Sequence, residues 1–250
     1  MSLNGILSAI SAHPEYKRHL ALISHSGNSA DSTPETTIRQ GARPGYIGAT
    51  WRQQRSPLLV LTPRPDDARR LHDQLLTYLG DEEPVYLLPE PEVLPFERLA
   101  VDSNTTNQRL ATLAALAQSG NRSCPLIVTS VGAALLKTLP AEAMTGPASK
   151  PVPPYRVAVG ETIALNHLLT QWVELGYHHE PLVEAPGSFS HRGGIIDVFP
   201  PNSQFPFRIE MFDDEIDTIR LFDPYSQRSI REVSEAFLVP SQEQLSKFSN

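Results

Sequence analysis

A chain of 250 residues, 40% hydrophobic and 7% aromatic, has enough apolar material for a packed core, which excludes wholesale disorder and suggests two modest domains or one large one. Its 21 Lys and Arg face 28 Asp and Glu, a formal net charge of −7, so a basic coat over the whole surface is excluded, though a local basic patch is not. One cysteine, Cys124, cannot make an internal disulfide, and no stretch approaches the about 20 apolar residues of a membrane span, so a cytoplasmic, membrane-free protein is expected.

In chain order, Leu20-Ala-Leu-Ile is the first strand candidate, and Gly27 to Gly48 is polar and turn-rich, so residues 24–56 read as an uncertain loop region. Leu58-Leu-Val-Leu reads as a buried strand ending at Thr62-Pro63. A helix is predicted over Asp66–Leu79, because Ala68, Leu71, Leu75, Leu76 and Leu79 share a face, with Gly80 as the stop. Val85-Tyr-Leu-Leu is a second strand. Pro89–Pro95 is broken by prolines and reads as a loop. A helix from about Thr105 to Ala117, a strand at Leu126-Ile-Val-Thr and a short helix over Val131–Leu139 follow. Cys124, next to the third strand, reads as a structural thiol. Alternating helices and continuous apolar strands indicate a parallel sheet covered on both faces.

Pro140 to Pro154 is rich in Pro, Ala, Gly and Ser and is expected to be a linker between domains at 1–139 and 155–240, with 241–250 beginning a further segment. Beyond it, a helix near Glu161–Leu175 places Leu165, Leu168, Leu169 and Trp172 together. Strands then dominate: Gly194–Phe199, Phe207–Phe212 and Ile216–Phe222, separated by Pro200-Pro-Asn-Ser and Asp213-Asp-Glu. The fold class is therefore α/β, followed by a small α+β domain.

The chemistry is sparse. After Leu20-Ala-Leu-Ile the chain reads Ser24-His-Ser-Gly-Asn-Ser-Ala-Asp-Ser-Thr, without the lysine and second glycine of a phosphate loop, which argues against ATP hydrolysis. No Gly-x-Gly-x-x-Gly is present. His178, His179 and His191 lack the cysteines or regular spacing of a zinc site, and Asp213, Asp214, Glu215 and Asp217 fit a solvated turn better than a cation site. Pro89–Leu99, with Val93, Leu94, Phe96 and Leu99 among prolines, is either a loop packed over a sheet edge or a contact for a partner or DNA. Arg64, Arg69 and Arg70 are either a basic DNA-binding group or the solvated face of a helix. Phe189-Ser-His-Arg-Gly-Gly sets an aromatic, expected to be exposed, near Arg192 and a paired glycine turn. That is the composition of an interface hot spot, although Arg192 could equally pair with a nearby carboxylate.

Arg192-Gly-Gly-Ile-Ile-Asp-Val-Phe-Pro, then Phe207–Pro224 and Ser226-Gln-Arg-Ser, resemble the N-terminal region of the bacterial transcription-repair coupling factor (Mfd) family and, less closely, the UvrA-binding domain of UvrB. Leu88–Leu99 and Asn107–Leu113 look like further segments of that family, and the match runs over about residues 57–240. The resemblance implies a degenerate RecA-like, UvrB-like motor domain lacking a phosphate loop, with no room between Tyr86 and Asn107 for a damage-sensing hairpin. It implies next a domain that recruits UvrA. The chain is then a non-catalytic fragment or truncated homologue without a cofactor of its own. ATP, magnesium, DNA and RNA polymerase would engage parts of full-length relatives lying elsewhere. Carried over residue by residue, the UvrA contact falls on Arg192 and Gly193, with Phe189 beside them. A second contact arginine is replaced by His178, which is mostly neutral near pH 7, and an arginine of UvrB is replaced by Ser190. The rival reading is a DNA-binding repair module on a degenerate helicase fold.

Overall fold

The computed structural model describes residues 3–25, 35–91, 103–119, 124–146 and 155–243. The chain forms two compact units that interleave in sequence: residues 1–89 with 119–134, and residues 90–118 with 135–250.

The first unit holds α1 (Asn4–Ala12), α2 (Pro14–His25), α3 (Arg43–Gln54), β1 (Leu58–Thr62), α4 (Pro65–Leu79), β2 (Val85–Leu88), β3 (Leu126–Ser130) and the one-turn α6 (Val131–Ala134). The strands form a parallel sheet in the order β1-β3-β2, with Leu58 opposite Leu126 and Val85 opposite the same residue. Every residue of central β3 is buried. On α4, Pro65 sits in the first turn with Asp66 and Asp67, where a missing N–H costs nothing and carboxylates meet the positive end of the helix. The Gly80 N–H closes the other end on the Leu76 carbonyl at 2.8 Å. Ala68, Leu75 and Leu79 of α4 join Leu7, Tyr16, Ala49, Trp51, Val85, Leu126 and Val128 in one core, and the Trp51 indole N–H donates to the Cys124 carbonyl at 2.8 Å.

Three expectations are corrected here. Leu20–Ile23 is the second half of α2 and not a strand. A four-residue apolar run does not distinguish the two, and here Tyr16 and Leu20, one helical turn apart, both pack on the core. Inside the expected loop 24–56, α3 is a full helix, disguised by two glycines that lower helix propensity. Those glycines mark a close approach: a Cβ on Gly45 would lie 2.7 Å from Ile10 Cδ1, and one on Gly48 would lie 3.4 Å from Leu7 Cδ2 and Leu79 Cδ2. The sheet is also not covered throughout, because Leu59 and Leu61 on edge strand β1 are each 53% exposed.

The second unit contains α5 (Ser103–Ala117), α7 (Ala141–Thr145), β4 (Arg156–Ala158), α8 (Leu165–Glu174), β5 (His178–His179), β6 (Ser188–Arg192), β7 (Ile195–Phe199), β8 (Phe207–Phe212), β9 (Glu215–Phe222), β10 (Ser229–Val233) and β11 (Glu235–Phe237). A six-stranded sheet runs β10-β9-β8-β7-β6-β5, antiparallel except for β5 beside β6, and β4 pairs with β11. Trp172 of α8 is fully buried and meets Phe189 edge-on with ring centroids 6.2 Å apart, while Ile196, Val198, Ile209, Ile216 and Ile219 fill the sheet's inner face. The phenol of buried Tyr177 donates to the Val239 carbonyl at 2.7 Å.

Where a linker was expected, Ala141–Thr145 is helical and buries Ala143 and Met144; residues 147–154 lie outside the described residues. Helix α5 belongs to this second unit, where it packs on α7 and its buried Arg109 donates to both carboxylate oxygens of Glu243, at 2.6 and 3.2 Å.

Candidate functional site

Strands β6 and β7 are joined by Gly193-Gly194, since Arg192 pairs directly with Ile195. Gly193 has φ 62, the left-handed value that a two-residue hairpin of this kind places at its first central position and that glycine adopts without a Cβ clash. Nothing lies within 4 Å of where its Cβ would stand, so the turn opens onto free space. Gly194 meets a different demand. Its carbonyl accepts the Met211 N–H at 2.7 Å, and a Cβ there would fall 2.7 Å from the Met211 carbonyl oxygen. The hairpin tip is thus fastened to β8 through its backbone.

Residues directly opposite one another in antiparallel strands face the same side. Ser188, Ser190 and Arg192 of β6 therefore share the outer face with Phe199, Asp197 and Ile195 of β7. That face continues with Arg208 and Glu210 of β8, then Thr218 and Arg220 of β9. Most of its charge is satisfied internally. Arg208 donates to Asp197 through Nε at 2.7 Å and Nη2 at 2.8 Å, and its guanidinium carbon sits 4.5 Å from the centre of the Phe222 ring. The Asp197 hydrogen bonds are the main reason the Arg208 pKa is raised further, against a smaller burial effect in the other direction. Arg220 pairs with Glu210 at 3.0 Å and Glu232 at 3.4 Å. Val183, from the segment between β5 and β6, packs with Phe199 and Phe222.

Arg192 differs from these arginines. It is exposed, its Nη2 donates to the Pro181 carbonyl, and among the described residues it has no carboxylate partner. His191, one residue back, reaches the Gly193 carbonyl through Nε2 at 2.6 Å. His178 is exposed on β5, opposite Ser188, and its Nε2 stands 3.8 Å from Glu180 Oε1. It shares the face of Arg192 but lies four residues along β6, about 13 Å away at the rise of a strand. Ser190, where UvrB carries arginine in the resemblance, is buried.

Phe189 is the site residue that the structure moves. It is 4% exposed and packs between Trp172 and His179, so the aromatic expected on the surface is a core residue. Strand geometry gives the reason: three positions separate Phe189 from Arg192, and a period of two sends them to opposite faces. Exposed aromatics lie instead at Phe212, the last residue of β8, and at Tyr225 in the turn between β9 and β10, neither of which reading the sequence singled out. The signal was present, because Phe212 follows Arg208 and Glu210 in the outward phase of β8.

The other candidates take ordinary places. Asp213 and Asp214 form the two-residue turn between β8 and β9, with Asp213 at φ 54, a conformation that Asp tolerates better than most residues. Among the described residues no three His, Cys, Asp or Glu side chains converge as a metal site would need, and no helix is long and apolar enough to cross a membrane. Arg70 of α4 lies 3.7 Å from Asp67, and Asp66 shares that first turn. The Cys124 thiol donates to the Arg55 carbonyl at 2.9 Å. The Pro89–Leu99 segment falls outside the described residues from position 92, as do residues 26–33 of the stretch read for a phosphate loop.

Comparison with known proteins agrees with this picture. Residues 156–243, which span the six-stranded sheet and the β4–β11 pair, match the family described as the UvrB interaction domain. The transcription-repair-coupling factor of Myxococcus xanthus is 37% identical over 212 residues, covering 82% of this chain and 17% of its own length. That of Bacillus subtilis is 33% identical over 81% of the chain and 16% of its length, and that of Escherichia coli is 30% identical over 75% and 15%. The chain thus spans about a sixth of the length of these relatives, and it groups with the transcription-repair-coupling factors, carrying a UvrB interaction domain at residues 156–243.

Proposed function

We propose that this chain is a non-catalytic docking module that binds UvrA through the outer face of the second sheet, as part of a transcription-coupled nucleotide excision repair protein. The observation that carries the reading is Arg192. It is an exposed guanidinium on a backbone-fastened hairpin, without a carboxylate partner among the described residues, inside the stretch that matches the UvrB interaction domain. A permanent charge with five donors on a preformed support suits recognition of a partner carboxylate. RNA polymerase and DNA are assigned to no surface of this chain. Arg69 and Arg70 share α4 with Asp66 and Asp67, and Arg64 caps its N-terminal end beside them, so the carboxylates offset the arginine charge.

Two features support the absence of catalysis and of a bound nucleotide. The connection from β1 into α4 is Pro63-Arg64-Pro65, which offers few backbone N–H groups and no lysine to a phosphate. The glycines of α3 are occupied from inside by Ile10, Tyr78, Leu7 and Leu79. Calorimetric titration of the chain with UvrA and, separately, with magnesium-ATP tests the reading. Saturable UvrA binding with no heat from ATP is expected; stoichiometric ATP binding, or no association with UvrA, contradicts it.

A further inference from the structure

After β11 the chain continues as a strap: residues 238–241 are buried although they belong to no helix or strand. Buried irregular backbone has to find its hydrogen bonds outside a ladder. Here the Leu238 N–H donates to the Tyr155 carbonyl at 2.8 Å, the Val239 carbonyl accepts the Tyr177 phenol, and the Ser241 N–H donates to the Leu175 carbonyl at 2.9 Å. The Gln242 side-chain amide donates to the Gly176 carbonyl at 3.3 Å. Two glycines make room for the strap. A Cβ on Gly176 would lie 2.7 Å from Gln242 Cγ, and one on Gly187 would lie 3.2 Å from Ser241 Cβ. Gly176 and Tyr177 lead into β5 and Gly187 leads into β6, so the strap lies against the entry to both strands.

The strap ends on a buried ion pair. Both carboxylate oxygens of Glu243 accept from Arg109 of α5, 134 positions earlier, whose side chain is only 2% exposed. Arg156, Arg208 and Arg220, which pair with carboxylates elsewhere in this unit, keep between 22% and 30% of their side chains exposed, so water can stand in for a lost partner there. At Arg109 water is shut out, and removing the charge of one partner from a buried pair costs far more than from an exposed one. Few bonds hold the strap, so the cheapest response to that loss is a local opening that lets water reach the guanidinium.

We propose that Arg109 and Glu243 form a latch that seats the strap, and that the seated strap positions β5 and β6, the strands that carry His178 and Arg192; the effect on UvrA rests on the function proposed above. Arg109 and Glu243 are then positioning residues, acting on the docking face from behind the sheet edge through the strap.

Hydrogen exchange at single amides, thermal midpoint and UvrA affinity are to be measured on the full chain for the wild type, Glu243→Gln, Arg109→Lys and Gln242→Ala. Glu243→Gln keeps the shape of the side chain and removes its charge. It is expected to speed exchange about tenfold or more at Ser241, His178 and Gly187, whose N–H groups reach Leu175, Gly187 and Phe199, while Phe222, bonded to Pro206, changes by less than about twofold. Arg109→Lys keeps the charge without the two-donor fork and is expected to fall between the wild type and Glu243→Gln. Gln242→Ala removes a strap side chain outside the latch and is expected to stay within about twofold of the wild type. UvrA affinity should fall about threefold or more in Glu243→Gln, because the docking strands are less well preorganised. Unchanged exchange at Ser241, an equal rise at Phe222, or the same effect from Gln242→Ala overturns the latch. A rise confined to Ser241, or unchanged UvrA affinity with the strap open, overturns the positioning of β5 and β6. A wild-type chain that does not bind UvrA overturns the docking reading, and the exchange pattern alone then decides the latch.

Discussion

The two units use glycine in opposite ways. In the first, Gly45 and Gly48 sit inside α3 because α1 and α4 side chains press against them, and the space a ligand would need there is filled by the protein itself. In the second, Gly193 turns a hairpin into open space while Gly194 fastens it to β8. Glycine in the first unit thus closes a surface, and in the second it presents one. The difference sets a helix packed closely on its neighbours in the first unit against a turn presented to open space on the sheet of the second.

Gly45→Val tests that contrast most severely. Its Cβ would stand 2.7 Å from Ile10 Cδ1 and 3.1 Å from Tyr78 Cε1, so overpacking should cost about 1–3 kcal/mol in denaturant unfolding. Gly193→Ala meets no neighbour and carries only the strain of a positive φ, about 1 kcal/mol. Equal losses at the two sites would erase the distinction.

Tyr177 sharpens the comparison by testing what supports the docking sheet. Burial raises its phenol well above the ordinary value of 10.0, outweighing the hydrogen bond to Val239. A raised pKa means that the fold favours the protonated phenol, so this stability is complete below about pH 10 and is lost as pH rises toward the folded value. Tyr177→Phe should cost about 1 kcal/mol near neutrality, because the Val239 carbonyl loses its donor. Its thermal midpoint should also fall less steeply than the wild type above about pH 10, and parallel alkaline profiles would refute the assignment.

The smallest effect is expected at His178, exposed on the same face but away from the hairpin. His178→Arg should strengthen UvrA binding by about two- to fivefold, since a rim charge contributes modestly. No change in a titration would remove that position from the interface.

Much of this fold was legible in the sequence where one period dominated. The apolar runs of β1, β2 and β3 and the five-residue apolar face of α4 fall where the pattern predicts. What failed did so for physical reasons. Leu20–Ile23 is too short to separate helix from strand, and α3 hides behind glycines whose purpose, the approach of α1, is a tertiary fact. Helix α5 joins the second unit by packing on α7, and Arg109 reaches Glu243 across 134 positions, contacts that no local pattern reveals. At the site, Arg192 and the Gly193-Gly194 turn were readable from residue type. The exposure expected for Phe189 failed because proximity in sequence to Arg192 was weighed above strand parity, which buries that ring.

The central claim, that the outer face beside the β6–β7 hairpin docks UvrA, is tested most directly by one titration of UvrA into the wild-type chain and Arg192→Ala, with unfolding followed on the same samples. Because Arg192 is exposed and, among the described residues, its donor reaches only a main-chain carbonyl, folding should change by less than about 0.5 kcal/mol while binding loses about 2 kcal/mol, near thirtyfold in Kd. Unchanged affinity, or a loss matched by unfolding, would contradict the claim and leave Arg192 a structural residue bonded to Pro181.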